Sequence, residues 1–477
     1  MSTRLEHDLI GDKEISNDCY YGVQTARAME NFNITGLTLS RYPTFITSLA
    51  KVKKAAALAN FELGLLSEKK KNAICFACDE LMAGRYHDQF VVDMIQGGAG
   101  TSTNMNANEV IANIGLEFMG YAKGEYKHLH PNNDVNLSQS TNDAYPTALR
   151  VGLYEKLGEL NESMLIIKTA FAKKALEFKD VIKMGRTQLQ DAVPMTLEQE
   201  FRTYAVMIGE DIERIREAQQ LVREMNMGAT AIGTGINAHP DYTRIVESKL
   251  QEVTGRPFVT ASDLVEATQD TGAYVQISGV LKRVATKMSK ICNDLRLLSS
   301  GPRTGFNEIN LPAMQPGSSI MPGKVNPVIP EVVNQVCYQV IGKDVSITMA
   351  AEGGQLQLNV FEPIIAYNLF SSVNMMKNAF ETLATSCVAG ITANKERCEE
   401  LVLNSIGLVT ALNPYLGYEN STIVAKEALQ SGRSVYEIVL EKGFLAKEEL
   451  DEIIKPENMI QPKNYGLSEK HKIKPVV

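Results

Sequence analysis

Proline placement constrains this chain more than any other feature. A proline inside a helix removes a backbone hydrogen bond and clashes with the preceding turn, whereas a long proline-free interval permits an unbroken helix. No proline falls between Pro146 and Pro194, Pro194 and Pro240, Pro257 and Pro302, Pro330 and Pro363, or Pro363 and Pro414. In the first interval Leu149, Leu153, Leu157, Leu160, Met164, Ile167, Phe171 and Leu176 recur at near-helical spacing. Leu197, Phe201, Ile208, Ile212, Ile215 and Val222 do so in the second, and Ile277, Leu281, Val284, Met288, Ile291, Leu295 and Leu298 in the third. Apolar residues at that period mark one buried face. Helices exceeding about 25 residues, each burying one stripe, predict an all-α chain built on a long helical bundle.

Six of the 17 prolines crowd between Pro302 and Pro330, among Gly301, Gly305, Gly317 and Gly323. An irregular stretch of that length inside a helical protein reads as a functional loop, such as an active-site lid with glycine hinges. Three domains are expected: a mixed N-terminal domain over 1–141 with short helices and extended pieces, a central bundle over 142–397 carrying a catalytic loop near 311–329, and a small charged helical domain over 398–477. No internal repeat is visible, and the last residues, KNYGLSEKHKIKPVV, read as a solvated tail.

Composition narrows the partners. A hydrophobic share of 44% and a charged share of 22% belong to a folded globular chain of 477 residues, too long for one core. The net charge of -8 comes without any dense Lys/Arg block, which argues against nucleic acid as a partner. The opening MSTRLEHDLIGDKEI lacks the apolar core of a secretory signal, and no apolar run reaches the roughly 18 residues needed to cross a membrane. Seven scattered cysteines, an odd number, suit free thiols and a cytoplasmic location. Cys75 and Cys78 form a lone CxxC in a helix-like stretch, which cannot complete a tetrahedral zinc site and reads as buried thiols.

Several familiar patterns fail on inspection. QGGAGTS, with Gly98 and Gly100, lacks the third glycine and preceding strand of a dinucleotide fingerprint. GATAIGTG from Gly228 has the glycines of a phosphate loop, but Thr234 stands where its lysine must be. The histidines, His7, His87, His128, His130, His239 and His471, show no paired metal spacing, and His128 and His130 are expected at the surface. No GxSxG elbow is present.

Four segments rich in small hydrogen-bonding residues remain: GGAGTSTNMNANE (97–109), SQSTNDAYPTA (138–148), KMGRTQLQDAVPMT (183–196) and GSSIMPGKVNP (317–327). Any one could simply cap a helix or make a turn. Four beside long helices predict a convergent polar pocket. Neutral donors from Thr, Ser and Asn with one buried cation, Lys324, suit a small dicarboxylate. Taking a proton from carbon beside a carboxylate builds a second negative charge on that group, which needs donors aimed at it. Lys324 and Asn326 could supply them.

GSSIMPGKVNP closely resembles the signature of the aspartase/fumarase superfamily, and the resemblance covers essentially the whole chain. QGGAGTSTNMNANE, SQSTNDAYPTA and PEVVNQV resemble its aspartase branch more than its class II fumarases. The resemblance implies reversible elimination of ammonia from L-aspartate to give fumarate, through C3 proton abstraction and an aci-carboxylate. It implies a homotetramer with a core of twenty helices and active sites shared between subunits. It also implies no organic cofactor, and it permits divalent-metal activation without naming ligands. Carried onto matching positions, it makes Ser318 the general base and places Lys324, Asn326 and Thr187 on the carboxylate that becomes the aci-carboxylate. Thr101, Ser140, Thr141 and Ser319 would hold the other carboxylate, with Asn142 and Gln188 near the amino group. Glu331 and Asn334 are candidates to orient Lys324, although a helix-start role suits Glu331 equally. Some relatives carry His where this chain has Gln188, and Gln188 suits deamination because a protonated amine leaves without an added proton while hydroxide does not. Fumarate hydration and a non-catalytic structural role on the same fold are the alternatives.

Overall fold

The computed structural model describes residues 2–462, so the tail expected to be solvated, with His471 in it, lies outside the described residues. The chain opens with strands β1 (Thr3–Asp8) and β2 (Gly11–Ser16), then helices α1 (Val23–Asn31), α2 (Pro43–Glu62), α3 (Glu68–Met82), α4 (Thr101–Phe118) and α5 (Thr141–Glu177). Strands β3 (Ile182–Thr187) and β4 (Gln190–Thr196) lead into α6 (Leu197–Leu221). Short elements follow: β5 (Glu224–Met225), α7 (Thr230–Gly233), α8 (Tyr242–Thr254), β6 (Val259–Thr260) and α9 (Leu264–Ala267). After α10 (Gly272–Leu298) come β7 (Ile309–Asn310), α11 (Val328–Glu352), α12 (Glu362–Ser386) and β8 (Thr392–Ala393). The end is helical: α13 (Lys395–Leu403), α14 (Leu408–Ser431), α15 (Val435–Glu441), α16 (Lys447–Ile453) and α17 (Pro456–Met459). The sheets among the described residues are strand pairs, parallel for β5 with β6 and antiparallel for β1–β2, β3–β4 and β7–β8. The fold is all-α, and among the described residues no helix is long and apolar enough to cross a membrane.

The long helices form where proline permits. α5 runs 37 residues and α10 runs 27, while α6, α11 and α12 have 25 each. The apolar stripes expected on α5, α6 and α10 are buried with one exception: Leu176 is 72% exposed. It falls off the stripe, which Ala175 and Phe178 continue instead, as helical periodicity requires. Pro330 and Pro363 occupy the first turns of α11 and α12, where no backbone donor is lost. The loop therefore ends at Pro327, two residues short of the expected boundary, because α11 starts at Val328. The N-terminal region differs from expectation, since α2, α3 and α4 have 20, 15 and 18 residues. No proline separates Pro43 from Pro131, so the rule that governs the bundle operates there too.

The chain divides into two compact units, one of Met1–Glu162, Asp211–Thr286 and Val336–Lys377, the other of Ser163–Glu210, Lys287–Gln335 and Asn378–Val477. In the first, α2 packs on α3 and α8, and α4 packs on α1 and α3. In the second, Phe171, Phe178, Phe201 and Tyr204 form an edge-on aromatic cluster, and Leu408, Leu412, Leu416, Val424, Ile438 and Leu450 form a separate apolar core.

One interior charge of the first unit sets a pH dependence. Glu362 opens α12 and is only 7% exposed; burial pushes its carboxyl from 4.5 up to about 8, against the pull of Arg150. The folded chain keeps a proton that the unfolded chain releases, so unfolding free energy should fall as pH rises from 4.5 toward about 8. Glu362→Gln should flatten that slope in urea titrations run across this range.

Candidate active site

In the first unit the glycine-rich segment serves close packing. Gly98, Ala99 and Gly100 all have positive φ, at 89°, 55° and 90°. A Cβ on Gly100 would lie 2.4 Å from Cδ2 of Tyr145, so only glycine lets the start of α4 settle on α5. Thr101, the first residue of α4, is exposed, and its hydroxyl donates to the carbonyl of Gly98 at 2.8 Å. Asn104 Nδ2 donates to Thr141 Oγ1 at 3.3 Å and to Asn136 Oδ1 at 3.1 Å. Thr101, Ser140, Thr141 and Asn142 thus stand at two adjoining helix N-termini, where unpaired amides and helix dipoles favour an anion.

Beneath them lies a polar anchor that the sequence reading missed. Asp143 is fully buried; Oδ1 accepts from the amide of Ser140 at 2.8 Å and Oδ2 from the amide of Gly228 at 2.9 Å. The spacing Ser140-x-x-Asp143 is that of a capping box, which was the available signal. Lys53 is fully buried on α2, with Nζ donating to Asn136 Oδ1 and Gln139 Oε1 at 2.9 Å each. Burial pushes the Asp143 carboxyl up to about 6 and the Lys53 amine down to about 7, and each charge opposes the other's shift. Lys53 could have been noticed as a cation on the apolar stripe of Leu49, Ala56 and Ala57. Pro146, inside α5, cannot donate to the carbonyl of Asn142 one turn back, and Asn226 Nδ2 takes that carbonyl at 2.9 Å. Ala231, in α7, donates its amide to Ser140 Oγ at 3.2 Å and accepts from Asn142 Nδ2 at 2.7 Å.

In the second unit Thr187 and Gln188 form the tip of the β3–β4 hairpin and are exposed. Thr187 pairs with Gln190 across a two-residue turn in which Gln188 and Leu189 have φ of 54° and 62°. That is the geometry of a tight hairpin turn, built without the usual Asn or Gly. At its base, a register shift between Met184 and Arg186 marks a bulge at Gly185, where a Cβ would lie 2.8 Å from the carbonyl of Val193. Lys183 and Arg186, which would face opposite ways on a regular strand, both reach the buried carboxylate of Glu308, at 3.2 and 2.7 Å.

The proline-rich loop folds back on itself. Gly317 donates its amide to the carbonyl of Lys324 at 2.8 Å and accepts from Asn326 Nδ2 at 2.7 Å. A Cβ on Gly317 would lie 2.5 Å from that carbonyl, so the approach needs glycine. Ser318 Oγ accepts from the amides of Ile320 at 3.2 Å and Met321 at 3.0 Å. Ser318, Lys324 and Asn326 are thereby brought together, and Ser319 is exposed beside them. Two expectations need correction. Lys324 is exposed rather than buried: among the described residues no carboxylate pairs with it, and its ammonium stays in water. Asn334 does not orient it: the Asn334 amide donates to Ser289 and Asn293 on α10 and accepts from Arg296. Glu331 lies in the first turn of α11. Among the described residues no hydrogen bond joins Thr187 or Gln188 to this loop.

The other candidates are structural. His128 and His130 are half-buried rather than superficial; His128 stacks on Tyr121 and His130 Nδ1 accepts from the amides of Asn132 and Asn133. Cys78 is buried in α3 and Cys75 half-buried. Among the described residues no group of three or more His, Cys, Asp or Glu side chains could hold a metal ion, so no ligands are offered.

Two helix N-termini rich in hydroxyls, and a loop that aims two amides at a serine, are features of a small-carboxylate enzyme. The chain belongs to the lyase family: residues 11–342 match the family described as Lyase, and residues 408–461 match the Fumarase C C-terminus. It is similar along 98% of its length to an aspartate ammonia-lyase of Helicobacter pylori, 67% identical and covered in full. An aspartate ammonia-lyase of Escherichia coli is 56% identical, over 96% of both chains. Among solved structures, a cobalt-bound fumarate lyase:delta crystallin from Brucella melitensis superposes with a TM-score of 0.94 at 53% identity, covering 97% of this chain and 100% of that one. A class II fumarase from Schistosoma mansoni gives 0.91 at 36% identity, with coverage of 97% and 100%.

Gly100→Ala should lower stability by about 2–3 kcal/mol, through strain at positive φ and the clash with Tyr145, measured by urea unfolding.

Proposed function

We propose that the chain reversibly eliminates ammonia from L-aspartate to give fumarate. The observation that carries the reading is the Ser318 hydroxyl, which receives two backbone amides in a chain 56% and 67% identical to relatives named for that reaction. A serine is a poor base in water, and two amides aimed at its oxygen stabilise the alkoxide. Ser318 takes the C3 proton, and the electron pair of the C3–H bond moves into the adjacent carboxylate as an aci-carboxylate. Lys324, Asn326 and Thr187 hold that doubly negative group. Its collapse forms the C2–C3 double bond and expels the amine. As an ammonium group it leaves as neutral ammonia and needs no acid, so Gln188 suffices where hydroxide loss would call for one. Thr101, Ser140, Thr141 and Ser319 hold the other carboxylate, and Asn142 and Gln188 lie at the amino group. The chemistry uses no organic cofactor. Fumarate hydration ranks below it, because the fumarase matches at 36% identity.

The enzyme is read as a cytoplasmic homotetramer with sites shared between subunits and with a three-part chain divided near 142 and 398. Cys19, Cys75, Cys78, Cys387 and Cys398 form no disulfide, in keeping with a reducing compartment. On α11, Tyr338, Val345 and Met349 are 56%, 60% and 68% exposed, in a row at helical spacing. Lys343 and Asp344, charged residues of the same helix, are buried. An apolar stripe turned outward on a bundle helix is covered most simply by other copies of the chain.

Purified protein given L-aspartate and L-malate separately should form fumarate, followed by its ultraviolet absorbance, from aspartate; fumarate from malate alone would overturn the reading. Ser318→Ala should cut kcat by about 10²- to 10⁴-fold while KM changes little. Val345→Glu should break the tetramer into smaller species in sedimentation velocity.

A further inference from the structure

Ala231 carries the most strained backbone beside the amino-acid end of the site. Its φ of 65° and ψ of -75° fall in the γ-turn region that L residues rarely enter. Such strain persists only where surroundings enforce it. The surroundings here are two residues that the reading above places on substrate. Asn142 Nδ2 donates to the carbonyl of Ala231 at 2.7 Å, and the amide of Ala231 donates to Ser140 Oγ at 3.2 Å.

These two bonds fix what each side chain can offer a ligand. A carbonyl only accepts, so the NH2 end of the Asn142 amide must face Ala231, and Oδ1 is left as an acceptor. Among the described residues that oxygen accepts no hydrogen bond. The Ser140 oxygen already accepts a hydrogen bond from the Ala231 amide, so its own hydroxyl hydrogen has to be donated elsewhere. Among the described residues its one acceptor, Asp143 Oδ1, is 3.3 Å away and already holds the Ser140 amide at 2.8 Å. An incoming carboxylate oxygen would compete well for that hydrogen.

We infer that Ala231 is a positioning residue that sets the hydrogen-bonding polarity of this end of the site, turning Asn142 into an acceptor for ammonium and Ser140 into a donor for carboxylate. That pairing matches an α-amino acid. The inference rests on the reading that L-aspartate is the substrate, and adds how the chain would select its amino group.

Two substitutions at Ala231 separate geometry from bulk, because its side chain is exposed. Ala231→Val should abandon the positive φ, which a β-branched residue resists, whereas Ala231→Gly can keep it. With A231V, KM should rise about tenfold for L-aspartate and for ammonium in the reverse direction, with kcat within about threefold. KM for fumarate, which has no amino group and keeps three other proposed carboxylate donors, should move less. A231G should stay close to the parent in all of these, and thermal unfolding of both variants should remain near that of the parent. If A231V fails to fold, Ala231→Leu carries the same prediction with a smaller factor. Unchanged KM values for aspartate and ammonium in the folded variant, or a loss of kcat and thermal stability with no change in KM, would overturn the inference while leaving the function intact. A parent protein that makes no fumarate from aspartate would remove the function and this inference with it.

Discussion

Asp143 has almost no contact with solvent, and a carboxylate in that position has to find its donors inside the protein. It takes the amides of Ser140 and Gly228, which lie far apart in the sequence, and so joins the entry of α5 to the segment that ends in α7. Everything polar around it follows from that junction. Lys53 balances its charge from α2 and orders Asn136 and Gln139, and Asn136 in turn accepts from Asn104 of α4. Asn226 reaches over to occupy the carbonyl that Pro146 leaves unpaired. With one carboxylate at the centre, the starts of α4 and α5 and the strained turn at Ala231 hold fixed relative positions, as rigid placement of hydroxyls and amides around a small anion requires.

Glu308 plays the corresponding part in the second unit. A regular strand would send Lys183 and Arg186 to opposite faces, and two cations could not then share one buried carboxylate. The bulge at Gly185 supplies the extra residue that brings them to the same side. Glu308 also directly precedes β7, the last regular element before the proline-rich loop. The hairpin carrying Thr187 and the base of the loop carrying Ser318 are therefore referenced to one buried charge.

Legibility in the sequence followed the range of the interactions. Proline spacing and apolar periodicity are local, and they located α5, α6 and α10 with all but Leu176 on the correct face. The same rule applied to Pro43–Pro131 would have revealed the helices of the N-terminal region. Ser318, Lys324 and Asn326 were legible as a motif because they lie in one short loop whose glycine and amides close it locally. What the sequence could not show was pairing at a distance. Asp143 with Gly228, Arg186 with Glu308 and Asn334 with Ser289 each join residues separated by many turns of chain, and no local pattern records them. Lys324 was misjudged for the same reason: burial of a lysine depends on what packs over it, and α2 buries Lys53 while the loop leaves Lys324 in water.

The hairpin tip shows why strain and anchoring go together. A two-residue turn with positive φ at both positions suits Asn-Gly, and Gln-Leu in its place costs on the order of 1–3 kcal/mol at each residue. Nothing at the tip offsets this, since Leu189 is 65% exposed. The turn is kept by its base, where strand pairing closes on Thr187 and Gln190 and Glu308 holds Arg186. A side chain presented in this way cannot relax by small shifts of the loop, because any relaxation must first undo a buried ion pair. The backbone of Gln188 is therefore held in one place, and its side chain is a neutral amide, able to donate or accept a hydrogen bond but not to act as an acid.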